Sequence, residues 1–550
     1  MGIYVGIDLG TTISAAAYIG PNGKPRIIPN KEGERLTPSA VFFDRDTVVV
    51  GTEAKNQRFL HEKNYVSFAK RDLGNRQVAY EIQNDKYSPE EISAFVLKKM
   101  KQDIEDKTGE EILGAVITVP AYFTDAQRIA TEQAAAIAGV KVLSLINEPT
   151  AAALAYGITK CGAKAQHILV YDLGGGTFDV SIMRIANENI EILSTMGAPK
   201  LGGYDFDEKI YEWFKKEAAG QGVSIDRDPQ AKKKVFIEAE RVKKLLSSQD
   251  SAEMKLAAEG KEVRAVLSRV DFENWIEPLI FTTTALMQGA MDEANLDYSM
   301  LDKILLIGGS TRIPLVSQMI EEETEITPVM EVNPDEAVAV GAAYHAVNVV
   351  KETAVKAAAV TAKTQMGFMP GNHTAQPMSG NQTVTKKPRS NYAEPVVIDT
   401  NNLPPATKQY TFQDRTSHGI GVVARDPKTK ENINVVLVKK NTLVPSKGKM
   451  DFITNSENQT ELELQVTQGE DRELQYTTII GKSRLKLKPR PKGSPIRIII
   501  GCDKDFVTRI QVLDMVDKTN LGEMVIERTA NLTDNQVKET KKKISKLDIS

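Results

Sequence analysis

Apolar runs of strand length punctuate the first 350 residues of this chain, at positions 3–7, 115–119, 168–171 and 303–307. Between them lie stretches with helical spacing, such as residues 125–138, which Gly139 is placed to end. Strands alternating with helices predict a layered α/β domain over residues 1–350. Residues 351–410 read differently: an alanine-rich run gives way to Gly, Asn, Pro, Ser and Thr with few large apolar residues, which predicts a flexible linker. From 411 to 530 the period becomes two, as in Glu461-Leu462-Glu463-Leu464-Gln465-Val466 and Arg484-Leu485-Lys486-Leu487-Lys488. Short alternating segments between turn residues predict an antiparallel all-β domain. Residues 531–550 turn helical again, with Thr533 and Asp534 as capping candidates.

Composition narrows the function classes. Charged residues are 26% of the chain and nearly cancel to a formal net charge of −3, so no nucleic-acid partner is expected. Lys541-Lys542-Lys543 reads as a solvated helix face. The two cysteines, Cys161 and Cys502, are too few for a disulfide framework or a zinc site. The N-terminus enters a strand without the basic and apolar segments of a signal peptide, and no uninterrupted apolar stretch nears membrane-spanning length. The expectation is a cytoplasmic protein with no membrane partner.

Two glycine-bearing turns follow apolar runs and begin with an acid: Asp8-Leu9-Gly10-Thr11-Thr12 and Asp172-Leu173-Gly174-Gly175-Gly176-Thr177-Phe178-Asp179. Glycine lets backbone N–H groups approach phosphate oxygens, threonine hydroxyls add donors, and the leading aspartates suit a hydrated Mg²⁺. A matched pair predicts a duplicated α/β fold with one nucleotide between its halves. Four further clusters suit the same pocket. Lys70, after Phe68, can steady a terminal phosphate and an attacking water, although a lone lysine is ordinarily a solvated one. Glu148 stands at a helix start, where the dipole alone favours a carboxylate; the functional reading is a group that arranges Mg²⁺ waters and the nucleophile. Glu240, Lys243, Lys244 and Ser247 share a helix face downstream of Gly202, Gly203 and Asp205. Surface ion pairing and a polar wall for ribose and adenine both explain that spacing. Gly308-Gly309-Ser310-Thr311-Arg312, with Asp335 downstream, makes either a simple strand-to-helix turn or a close approach for a base or sugar.

In this order the clusters resemble the ATPase domain of the heat-shock 70-kDa chaperone family, the DnaK-like proteins, within the actin and sugar-kinase superfamily. The resemblance is carried by Gly6-Ile7-Asp8-Leu9-Gly10-Thr11-Thr12, Val119-Pro120-Ala121-Tyr122-Phe123 and residues 146–157, 172–179, 307–314 and 333–343. It implies an α/β actin-like duplicated nucleotide-binding domain followed by an all-β sandwich domain, with ATP/ADP and Mg²⁺ as cofactors. By position, Asp8 and Asp172 would hold Mg²⁺ through waters. Gly10, Thr11, Thr12, Gly174, Gly175, Gly176 and Thr177 would cradle phosphates, and Lys70, Glu148, Thr177 and Asp179 would surround the hydrolytic water. Gly202, Gly203, Glu240, Lys243, Lys244, Ser247, Gly308, Gly309, Ser310, Arg312 and Asp335 would complete the nucleotide site. Pro120 and Arg128 match positions that relay nucleotide state between domains. Two residues depart from the family pattern: Ile13, usually polar or aromatic, and Lys244, often an arginine that stacks on adenine.

The later part of the chain resembles the family's peptide-binding sandwich through Ser417-His418-Gly419-Ile420-Gly421, Lys440-Asn441-Thr442-Leu443-Val444-Pro445 and Gln468-Gly469-Glu470. That alignment implies that Ile420, Val423, Leu462 and Leu464 line an apolar slot for an extended peptide. The plain alternative is the inward face of a sandwich. His418 replaces a usual leucine, the acidic-ended interdomain linker has its nearest echo in Val396-Val397-Ile398-Asp399, and the helical lid is expected to be absent. The resemblance implies an ATP-dependent chaperone that binds unfolded or extended polypeptide, switched by hydrolysis of ATP to ADP. A J-domain co-chaperone and a nucleotide exchange factor are its implied partners. The alternative is an actin-fold ATPase whose β domain serves one dedicated partner; a filament protein and a sugar-type kinase leave that domain unexplained.

Overall fold

The computed structural model describes residues 2–45, 47–57, 62–160, 164–227, 229–258, 260–366, 383–386, 396–399, 409–503, 506, 508–525 and 531–550. Cys161 lies outside them. The Gly2–Asp8 strand pairs in parallel with Glu111–Val119 and antiparallel with Ile13–Ile19. Val142–Asn147 extends this sheet on one side and Pro25–Ile27 on the other. A second sheet repeats the wiring: Gln166–Leu173 pairs in parallel with Lys303–Ile307 and antiparallel with Phe178–Ala186, which pairs in turn with Asn189–Ala198. Asp172 therefore holds in the second sheet the place Asp8 holds in the first, at the C-terminal end of a strand with a parallel neighbour. Val5, Ile7, Ile168 and Val170 are fully buried, which is why these strands read as continuous apolar runs.

Two helices join the sheets. Glu148–Lys160 and Ala337–Met366 contribute Ala151, Leu154, Ala339 and Ala342 to one core that also contains Val116 of the first sheet and Val170 of the second. Their approach is backbone to backbone: a Cβ added to Gly341 would lie 1.8 Å from the Ala151 carbonyl oxygen, and one on Gly6 2.1 Å from the Ala343 amide nitrogen.

The period-two segments form two facing sheets. One contains Ile420–Arg425, Asn432–Val438, Gln459–Gln468 and Thr478–Arg490; the other contains Ser446–Ile453, Pro495–Cys502, Thr508–Asp514 and Thr519–Val525. Val422, Leu464 and Val466 meet Ile498, Ile500 and Val512 between them. The Asp534–Ser545 helix begins at Thr533, whose side chain accepts the Gln536 N–H, and Val537 and Ile544 pack into the first lobe.

The linker reading is corrected at the described residues of 351–410. The helix that begins at Ala337 continues to Met366, and Val396–Asp399 pairs with Thr383–Lys386. Ile398 and Tyr410 are buried in the core shared by the two lobes. Composition averages over such short apolar insertions. The boundary at 411 also moves, because Thr411–Gln413 pairs in parallel with Asn189–Ala198 and extends the second α/β sheet rather than the sandwich. The segment leading into the sandwich is thus Thr411–Gln413 with Asp414, and Val396–Asp399 lies upstream in its own hairpin.

The helix crossing gives a direct test. Gly341→Val forces at least a methyl into the Ala151 backbone, and overpacking of this kind costs about 1–3 kcal/mol. The variant is expected to melt several degrees below the wild type in thermal denaturation, with a parallel loss of nucleotide binding.

Candidate active site

Between the two sheets lies a cavity of about 430 Å³. Asp8, Gly10, Thr11, Thr12, Lys70 and Glu148 line it from the first lobe and the joining helix, and Asp172, Gly174, Gly175 and Thr177 from the second. Gly203, Glu240, Lys243, Lys244, Ser247, Gly308, Gly309, Ser310, Arg312 and Asp335 also line it, with Lys55, Phe68, Tyr204 and Asp207 among their neighbours. Of the nucleotide-site residues expected from sequence, Gly176, Gly202 and Asp179 stand outside the lining and support it. A Cβ on Gly202 would lie 2.7 Å from the Gly176 amide, and Asp179 is the cross-strand partner of Asp172.

The turns are held by local hydrogen bonds. Gly174 N–H donates to the Thr177 carbonyl at 3.1 Å, and the N–H groups of Gly203 and Tyr204 donate to the carbonyls of Gly174 and Gly175 at 3.0 and 2.8 Å. The start of the Gly203–Gly220 helix is therefore clamped on the second loop. Ser39 Oγ donates to the Gly10 carbonyl at 2.7 Å and fixes the first loop. Gly308 has φ 84°, and a Cβ there would sit 2.5 Å from the Leu173 carbonyl oxygen. Only glycine meets both demands.

Charge is concentrated at the strand ends. Lys70 Nζ is 2.5 Å from Glu148 Oε1, with the lysine only 5% exposed. Thr118 Oγ1 donates to Asp8 Oδ1 at 2.8 Å, and the Tyr122 N–H donates to Asp179 Oδ1 at 3.0 Å. Burial, reinforced by the Glu148 charge, pushes Asp8 up to about 7 against the opposing pull of Lys70. Burial and the charges of Glu148, Asp179 and Asp8 push Asp172 well above the usual carboxylate range, and burial with Glu148 does the same to Asp179. Such a crowded acidic set suits a divalent cation. Among the described residues no group of three or more His, Cys, Asp or Glu is placed to ligate a metal directly.

Elsewhere in the cavity Lys243 Nζ is 2.9 Å from Asp207 Oδ1 and Arg312 2.6 Å from Asp335 Oδ2. Burial pushes Asp207 up to about 6 against the Lys243 charge. Burial also opposes ionisation of Glu240, but Lys244 and Lys55 outweigh it and hold that carboxyl down to about 2.

The family model described as Hsp70 protein matches residues 4–386 and 405–549. A chaperone protein DnaK of Thermosipho africanus is 37% identical over 521 residues, covering 93% of this chain and 78% of that protein. The DnaK of Thermotoga petrophila is 35% identical over 545 residues, covering 97% of this chain and 82% of that protein. The chain belongs to the Hsp70 family. Membership makes it an ATPase and an ATP-dependent chaperone, and carries with it an actin-like ATPase domain followed by a β-sandwich.

In this Hsp70 chain several contacts escape a reading of the sequence. Lys55 Nζ reaches Glu240 Oε1 across the cleft at 2.9 Å although 185 positions separate them, and Arg35 pairs with Glu336 at 2.5 Å. Others lie where the sandwich meets the ATPase lobes. Arg128 donates to Asn147 Oδ1 at 2.8 Å, and Asn147 Nδ2 donates to Asp414 Oδ2 at 2.9 Å. Arg128 also lies 4.7 Å from the Phe506 ring centroid. Arg415 Nε donates to the Ile192 carbonyl, Ser417 Oγ to the Ala121 carbonyl and His418 Nε2 to the Tyr122 carbonyl, at 2.7, 2.6 and 3.2 Å. Pro120 opens the turn that carries Ala121 and Tyr122, its carbonyl accepting the Phe123 N–H at 3.2 Å.

The four slot residues are not placed alike. Ile420 and Leu464, 6% and 3% exposed, belong to the sandwich core, whereas Val423 and Leu462 are half-buried. The open-slot expectation is corrected for Ile420 and Leu464, which face the opposite sheet; Leu462, two residues from Leu464, shares that face and packs at the edge of the core, whereas Val423, next to the core residue Val422, lies on the other face.

Lys55→Ala removes one cross-cleft pair and is expected to speed ADP release by about two- to fivefold, the worth of a partly exposed ion pair. Glu240 is ionised above its ordinary value of 4.5 and would lose its charge only as pH falls through about 2. The ratio of variant to wild-type release rates, followed with a fluorescent ADP, should therefore stay constant from about pH 6 to 9.

Proposed function

We propose that this Hsp70-family ATPase hydrolyses Mg²⁺-bound ATP in the cavity between its lobes and uses the nucleotide state to set the peptide affinity of the sandwich. The observation that carries the reading is the Lys70–Glu148 pair, buried among Asp8, Asp172 and Asp179 and flanked by two glycine loops from equivalent strands. Asp8 and Asp172 would hold the Mg²⁺ through its waters, and the ion when bound supplies neutralisation of phosphate charge. The Lys70 ammonium, kept in place by Glu148, steadies the terminal phosphate and the attacking water, whose oxygen bonds to the γ-phosphorus as the bond to the β–γ bridging oxygen breaks. The Thr177 hydroxyl donates to a phosphate oxygen, and Asp179, behind the lining, supports its cross-strand partner Asp172. Gly308 and Gly309 let the nucleoside approach the backbone, with Glu240, Lys243, Ser247 and Arg312 around it.

In the sandwich, the half-buried Leu462, at the edge of the inter-sheet core beside Leu464, contacts an extended apolar segment. Unfolded polypeptide in the cytoplasm is the client class, with a J-domain co-chaperone and a nucleotide exchange factor as partners. No helix among the described residues is long and apolar enough to cross a membrane.

Lys70→Ala is expected to slow single-turnover hydrolysis by about 100-fold or more while ATP binding changes only a few-fold; an unchanged rate would remove Lys70 from the chemistry. Fluorescence anisotropy of a labelled aliphatic peptide should show weaker binding with ATP than with ADP. Equal affinity in both would refute the switch, and no binding in either state would favour one dedicated partner.

A further inference from the structure

Lys70 stands between two residues that reach across the cleft to the same ring. Phe68, two positions before it, meets Tyr204 edge-on with ring centroids 4.8 Å apart at 63°. Arg71, the next residue, places its guanidinium 5.2 Å from the Tyr204 centroid. The same guanidinium donates to the Gly176 carbonyl at 2.9 Å and to Asp205 Oδ2 at 2.7 Å. Phe68 and Arg71 belong to the first lobe, whereas Tyr204 opens the Gly203–Gly220 helix of the second. Behind Tyr204 its ring stacks on Phe236 at 5.8 Å and 14°, and Phe236 stacks on Tyr211 at 4.5 Å. Phe68 and Tyr204 both line the cavity. Phe68 is also held at φ 62°, ψ 16°, at the start of the short turn that presents Lys70. A bulky side chain adopts that left-handed conformation at a cost, so its surroundings must enforce it.

We propose that Tyr204 is the anvil of an aromatic clasp: Phe68 and Arg71 close on it over bound nucleotide, and in closing they hold the intervening Lys70 at the phosphate end of the cavity. Tyr204 and Phe68 are positioning residues, acting on the chemistry through Lys70. The clasp rests on the nucleotide reading above and adds that retention of nucleotide and placement of Lys70 depend on one contact. An edge-on aromatic pair of this kind is worth about two- to tenfold in a rate or an equilibrium.

The test uses the full chain, with stopped-flow release of a fluorescent ADP and single-turnover ATP hydrolysis measured on each variant. Phe68→Asn removes the ring but keeps a residue tolerant of positive φ, and Phe68→Tyr restores a ring. Tyr204→Leu removes the anvil, and Phe68→Asn combined with Tyr204→Leu completes a cycle. Phe68→Asn and Tyr204→Leu should each release ADP about three- to tenfold faster and hydrolyse ATP more slowly. Phe68→Tyr should recover both rates, and the double variant should be little worse than either single one. Wild-type rates in Phe68→Asn, with or without a lowered melting temperature, overturn the clasp, as do effects that simply multiply in the double variant. Phe68→Asn changes no residue of the Tyr204–Phe236–Tyr211 stack, so it stays informative if Tyr204→Leu does not fold. Wild-type protein that binds no nucleotide would overturn the functional reading itself, an outcome distinct from normal binding with indifferent variants.

Discussion

Everything at the site depends on two helices meeting through their backbones. Gly341 has no side chain and Ala151 only a methyl to hold Glu148–Lys160 and Ala337–Met366 apart, and a Cβ on Gly341 would lie 1.8 Å from the Ala151 carbonyl oxygen. Because the helices are this thin at the crossing, both sheets can pack on them, and the two equivalent strand ends arrive at one cavity. With bulkier residues at the crossing the sheets would stand further apart, and Asp8 and Asp172 would no longer share a ligand. The run of alanines after Thr150 is thus a spacing device, and its small side chains bury little apolar area of their own.

The same geometry creates an electrostatic problem that the fold does not solve internally. Asp8, Glu148, Asp172 and Asp179 crowd around Lys70, and burial raises three of these carboxyls instead of leaving them comfortably ionised. Hydrogen bonds from Thr118 and the Tyr122 backbone fix their orientation without cancelling their repulsion. A site so arranged is least favourable alone and gains most from a cation together with phosphate oxygens. Stability is given up where binding is needed.

How much of this was legible in the sequence follows from which interactions are local. Residues 3–7 and 168–171 announce buried strands because both of their faces are covered, and the two loops announce themselves because glycine and threonine do their work within a few residues of an acid. Lys55 and Glu240 were opaque as a pair because nothing in a one-dimensional pattern links positions 185 apart. Tyr204 is opaque for a related reason: its partners Phe68 and Arg71 lie more than 130 positions away, on either side of Lys70. In the sandwich, period two reveals which residues share a face but not what covers it, so the pattern alone does not separate a peptide slot from the core that Ile420 and Leu464 join. In 351–410 the composition described the whole stretch and hid Val396–Asp399 and Tyr410, whose burial depends on the core they meet.

The junction with the sandwich is built from different material than either core. Arg415, Ser417 and His418 donate to backbone carbonyls of Ile192, Ala121 and Tyr122, and Asp414 accepts from Asn147. Water can replace each of these partners, so separating the surfaces forfeits far less than opening a hydrophobic core would. Asn147 is joined to Glu148 by a single peptide bond, and Glu148 holds Lys70. A displacement of Lys70 would therefore bear on the helix start that also presents Asn147 to Asp414. A contact that is cheap to break, placed one residue from the carboxylate that holds Lys70, suits domain docking that follows nucleotide state.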